Sequence, residues 1–121
     1  MMDYLAVMVG MEQSGKKIRS VDIASALGVR KPSVCNALGK LSRSGCIISD
    51  SGREIELTEE GRRLGGEYLE RIRVLSEVLV RGGLSAECAR ACAGHMVHEA
   101  SDEALRALCR LAGLPEWGSA V

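Results

Sequence analysis

Residues 20–44 read Ser-Val-Asp-Ile-Ala-Ser-Ala-Leu-Gly-Val-Arg-Lys-Pro-Ser-Val-Cys-Asn-Ala-Leu-Gly-Lys-Leu-Ser-Arg-Ser. The stretch spells two short helices joined by a tight turn. Ser20 is a favoured N-cap residue, and Asp22 puts a negative charge in the first turn, where the helix dipole favours it. Val21, Ile23, Ala24 and Leu27 supply one apolar face, and Gly28 supplies the stop. Pro32 opens the second helix at a position where a missing N–H costs nothing. There Val34, Ala37, Leu38 and Leu41 fall at i, i+3, i+4 and i+7, which predicts a buried stripe. The opposite face carries Ser33, Asn36, Lys40 and Arg43, hydrogen-bonding groups and cations suited to base edges and phosphates. The pattern predicts a helix-turn-helix whose second helix reads DNA.

Charge agrees locally. The chain as a whole is neutral, with 16 basic and 16 acidic residues. Between Gly15 and Arg43, however, seven basic residues (Lys16, Lys17, Arg19, Arg30, Lys31, Lys40, Arg43) face a single acid, Asp22. Concentrated positive charge of this kind is the electrostatic footprint of phosphate binding. The helix-turn-helix predicts Lys31, Ser33, Asn36 and Lys40 in a major groove and Arg30 on the backbone.

Outward from this stretch the chain reads as mainly α. Tyr4, Leu5, Met8 and Met11 recur at helical spacing over residues 2–14. After Gly45, Cys46-Ile47-Ile48 reads as a strand, Asp50-Ser51-Gly52 as a turn and Glu54-Ile55-Glu56-Leu57 as the return strand. A hairpin directly after a recognition helix is a wing, with Arg53 at its tip available to DNA. Thr58 caps a long helix reaching about Arg81, whose Leu64, Tyr68, Ile72, Leu75 and Leu79 form a narrow seam. Ser85 caps a fifth, Ala-rich helix to about Glu99, and Ser101-Asp102 starts a sixth that ends at Gly113. Trp117, the single Trp, is expected to pack onto the helices. The expected organisation is a winged helix-turn-helix DNA-binding domain over residues 1–63 and a helical dimerisation region over 64–121, since operator readers of this build pair two half-sites.

Composition bounds the rest. Aromatic residues make up 2% and Phe is absent, so the 46% of apolar residues must build the core from aliphatic side chains, which suits helices. No apolar run approaches the roughly 18 residues of a membrane span, and no signal peptide is visible. Five cysteines, odd in number and without CxxC spacing, predict reduced thiols and a cytoplasmic protein. No nucleotide loop, nucleophile elbow or His-Glu zinc motif is present, so no enzyme is expected.

With these elements in place the chain resembles the DtxR/MntR family of iron- and manganese-dependent transcriptional repressors, in a compact form without a third domain. The resemblance rests on Asp3-Tyr4-Leu5, Val21 to Leu27, Pro32-Ser33-Val34, the Leu57-Thr58-Glu59-Glu60-Gly61 junction, and the register of the last helices through His98 and Ser101-Asp102-Glu103. It implies a homodimeric, sequence-specific repressor of double-stranded DNA, activated by a divalent transition metal bound between the first, long and fifth helices. Asp3 and His98 match ligand positions of that site. Ala6, Ile72, Gly94 and Val97 stand where the family places other donors. Two ligands make no tight octahedral site, so manganese is expected not to bind tightly.

A second constellation lies on the fifth helix. Cys88, Cys92, His95 and Glu99 are spaced 4, 3 and 4 apart and share one stripe. Thiolate and imidazole point to zinc, copper(I) or ferrous iron, or to a redox role; two cysteines filling space at a helix contact is the other reading. Two function classes remain beside the metal-type repressor. One is a metal-independent winged-helix regulator that answers a thiol-reactive agent or another ligand. The other is a helical protein-interaction module that does not read DNA.

Overall fold

A computed structural model describes residues 2–50 and 54–116. Its elements are α1 (Met2–Gln13), α2 (Ser20–Leu27), α3 (Lys31–Arg43), β1 (Ile47–Asp50), β2 (Glu54–Leu57), α4 (Glu59–Arg81), α5 (Ala86–Glu99) and α6 (Asp102–Leu111). The chain divides into two compact units, Met1–Gly66 and Glu67–Val121. Arg53 and Trp117 lie outside the described residues. Among the described residues no helix is long and apolar enough to cross a membrane.

In the first unit, α2 and α3 form the expected helix pair. Gly28 caps α2 with φ 65° and ψ 32°, a left-handed conformation that glycine adopts without steric cost, and its N–H bonds the Ala24 carbonyl. The N-terminal expectation is off by one residue. Arg19, in extended conformation, takes the cap position of α2, and the N–H groups of Asp22 and Ile23 bond its carbonyl at 3.1 Å; Ser20 already lies inside the helix. Pro32 sits in the first turn of α3, as expected. Val34, Ala37, Leu38 and Leu41 are all buried, so the stripe is the packed face.

The wing is a two-stranded antiparallel hairpin in the register Ile47↔Leu57 and Ser49↔Ile55. Its first strand starts at Ile47 and not at Cys46. The Cys46 N–H is spent on the Leu41 carbonyl and its own carbonyl accepts from Thr58, which makes it a corner. On α1 the inward residues are Leu5, Ala6, Met8 and Val9, whereas Tyr4 and Met11 are half-buried. The helix is apolar nearly all round, so spacing alone picks no face. Thr58 caps α4 as expected, its hydroxyl accepting from the Gly61 N–H at 3.1 Å.

The second unit holds the remainder of α4 with α5 and α6. Ser85 and Ser101 both cap: their hydroxyls accept from the N–H groups of Cys88 at 3.2 Å and Ala104 at 3.1 Å. Leu75, Ala93, Leu105 and Cys109 form its core, with Ile72, Val97 and other aliphatic residues packed around them. Burial pushes the Cys109 thiol pKa up, as expected for a core cysteine.

Candidate nucleic-acid interface

On α3 the burial of one stripe fixes what the other face offers. Ser33, Asn36 and Lys40 are exposed, as are Arg30 at the cap position and Lys31 in the first turn. Lys16, Lys17, Arg19 and Arg43 are exposed as well, so every cation between Gly15 and Arg43 is at the surface. Lys17 lies 3.5 Å from the Glu54 carboxylate in a pairing some 70% exposed on both sides, too solvated to contribute much. Among the described residues Arg30, Lys31 and Lys40 form no ion pair, which leaves their charge available to phosphates. At Gly39 the missing side chain leaves room for Arg43, whose guanidinium stands 3.4 Å from where a Cβ would be. Cys35 is exposed on the same helix.

Ion pairs brace the unit elsewhere. Arg62 donates to Glu12 at 2.6 Å, tying α4 to α1, and that carboxylate raises the arginine's pKa. The Arg63 guanidinium, hydrogen-bonded to Glu60, lowers the Glu60 pKa.

In the second unit, His98 on α5 meets a partner that sequence spacing did not reveal. Its Nε2 is 2.6 Å from the Tyr68 hydroxyl, with ring centroids 5.6 Å apart and tilted by 50°. Tyr68 is only 3% exposed. The seam on α4 therefore carries a polar contact to α5 as well as packing.

The transcriptional regulator MntR of Escherichia coli O6:H1 (strain CFT073) is 35% identical to this chain over 105 residues, 87% of this chain and 68% of that protein. The chain belongs to the DtxR/MntR family of metal-dependent transcriptional repressors. MntR of Salmonella typhimurium (strain LT2) is likewise 35% identical over 105 residues, 67% of its length. The family model described as the iron dependent repressor N-terminal DNA binding domain matches residues 1–53. A solved manganese-dependent transcriptional repressor in complex with manganese superposes with a TM-score of 0.79 at 26% identity, covering 94% of this chain and 53% of that one. The manganese regulator SloR, at 23% identity, shares the fold with a TM-score of 0.81 over 94% of this chain and 54% of its own. The chain thus spans about half the length of these solved relatives.

The residues present do not fit the divalent metal that DtxR/MntR membership implies. Ile72 and Val97, at two of the expected donor positions, pack against the core of the second unit. Ala6 is buried on α1, and Gly94 offers no side chain at all. Asp3 on α1 is exposed, and the His98 imidazole on α5 is bonded to the Tyr68 hydroxyl. Among the described residues no three His, Cys, Asp or Glu side chains gather in a group able to hold a metal ion. A hard cation such as manganese asks for roughly six oxygen-rich ligands, and apolar packing has taken over two of the positions that would supply them.

The Tyr68 contact makes a prediction of its own. Tyr68→Phe removes one hydrogen bond in a buried setting and is expected to cost the second unit about 1 kcal/mol. The chain should melt a few degrees lower by calorimetry; an unchanged melting temperature would mean that the hydroxyl is equally well served by water.

Proposed function

We propose that the chain is a homodimeric regulator that reads double-stranded DNA with α3, and that manganese does not control it. One observation carries the reading: α3 buries Val34, Ala37, Leu38 and Leu41 while exposing Ser33, Asn36 and Lys40 beside Arg30 and Lys31. The first unit supplies the DNA-reading head and the second the dimer contact. An open groove on the second unit, where Leu69, Ile72, Val80 and Ala86 alternate with Arg73, Ser76, Glu77 and Arg90, supports that contact, since it offers mixed apolar and charged surface to a second copy. Arg53, which the sequence assigns to the wing tip, would approach the minor groove or a phosphate.

Titration of a short duplex at increasing salt tests the reading. The logarithm of affinity should fall linearly with the logarithm of salt concentration, and sedimentation should give a dimer. A monomer without affinity for any duplex at low salt would instead leave a helical interaction module.

Manganese supplies the second test. An ion that does not bind the folded state cannot stabilise it, so millimolar manganese should leave melting temperature and DNA affinity unchanged. Sub-micromolar manganese binding by calorimetry, abolished by His98→Ala, would overturn this part of the proposal.

A further inference from the structure

On α5 the positions turned to the core are Ala89 and Ala93, both fully buried, and Cys109 of α6 completes the same interior. Cys88 is exposed and Cys92 half-buried, so neither thiol fills the core. Cysteine is usually among the most buried residue types, as Cys46 and Cys109 are here. Neither cysteine of the stripe belongs to the buried core of the second unit. Residues four apart on a helix stack on one face, so the two thiols occupy neighbouring positions one turn apart on α5. The Cys92 pKa is pushed up first by a hydrogen bond with the Cys88 thiol, then by that neighbour's charge and by burial. His95 and Glu99 continue the stripe and are exposed. Yet no group of three or more His, Cys, Asp or Glu side chains able to hold a metal forms among the described residues. The pair offers two sulfur donors without a third ligand.

We propose that Cys88 and Cys92 form a surface dithiol site for a soft, thiophilic centre satisfied by two thiolates, represented by a trivalent arsenical. Donor chemistry selects this class. Zinc in a closed site takes four ligands and manganese prefers oxygen, so two sulfurs alone suit neither. Thiolates favour soft acceptors, and a monosubstituted arsenic(III) needs two more bonds, the number the pair provides. With an organoarsenic(III) oxide, two As–S bonds form and the arsenic–oxygen bond breaks. The oxygen takes both thiol protons and leaves as water. Arsenic stays trivalent, so neither oxidant nor reductant is required. The product bridges one turn of α5 and staples it. The site is independent of the DNA-reading proposal, because it rests only on the second unit.

Phenylarsine oxide added to the reduced full-length chain tests it, read by mass spectrometry, thiol titration and thermal melting. The expected result is one phenylarsenic group per chain, two titratable thiols consumed and a raised melting temperature. Cys88→Ser and Cys92→Ser should each weaken binding by on the order of a hundredfold, because the second bond is gained at the high effective concentration of a linked pair. Cys35→Ser should change nothing, since that exposed thiol has no such neighbour. Consumption of a single thiol, or retained affinity in either serine variant, would overturn the proposal. The thiol count on the parent chain decides the matter even if a variant folds poorly.

Discussion

Gly61→Ala is expected to cost the first unit about 3 kcal/mol, the upper end of what overpacking does, although alanine is ordinarily the better helix former by about 1 kcal/mol. A Cβ at Gly61 would run into the Cys46 carbonyl oxygen, with the carbonyl carbon 3.0 Å away and Leu57 Cδ2 at 3.3 Å. None of these can retreat cheaply. The Cys46 carbonyl accepts from the Thr58 N–H at 3.0 Å, and the Thr58 hydroxyl donates to the Gly45 carbonyl at 2.6 Å while capping α4. The corner between α3, the β-hairpin and α4 is pinned on each side. One turn on, a Cβ at Gly65 would stand 2.8 Å from both the Leu5 carbonyl oxygen and Val9 Cγ2, so α4 crosses α1 almost backbone to backbone. Gly65→Ala should therefore be destabilising as well. Gly66, its neighbour, has nothing within 4 Å, and Gly66→Ala should be neutral or mildly stabilising. Urea denaturation followed by circular dichroism compares the three. If Gly61→Ala and Gly66→Ala unfold at the same urea concentration, the corner is not tight.

The contrast between these glycines shows which parts of the chain are legible from sequence. The helix-turn-helix is readable because its signals are local. A glycine stop, a proline in the first turn and a four-residue apolar stripe all act within one or two helical turns, and the burial of Val34, Ala37, Leu38 and Leu41 follows directly. The caps at Thr58, Ser85 and Ser101 are readable for the same reason. Ser20 misleads by one position because a good capping residue does not oblige the chain to use it; the extended backbone at Arg19 decides the boundary. The face of α1 is hidden because its polar residues are too few to mark a solvent side. The tightness at Gly61 and Gly65, and the Tyr68–His98 contact, depend on elements far apart in sequence, so no spacing rule reports them. Family resemblance places His98 at a ligand position. The structure adds that the Tyr68 hydroxyl meets its imidazole.

The second large effect is expected on DNA, where Asn36 and Lys40 should separate cleanly. Both are exposed on α3, one turn apart, on the side opposite the buried stripe. Asn36 carries a donor and an acceptor in one planar group, the arrangement that pairs with an adenine edge in the major groove. Its replacement by alanine should cost on the order of 1–3 kcal/mol on a duplex selected from a random pool, and little on random duplex. Lys40 is a point charge on a flexible stem and carries no sequence information when it meets a phosphate. Lys40→Ala should weaken selected and random duplexes alike, and lower the slope of log affinity against log salt by about 0.9 for each phosphate the lysine neutralises. Neither change touches the core, so melting temperatures should match the parent chain and exclude misfolding as the cause. Fluorescence anisotropy with both duplexes at several salt concentrations reads all four quantities. Equal losses for the two variants on both duplexes, with the same change of slope, would mean that α3 meets DNA through charge alone and that base recognition lies elsewhere.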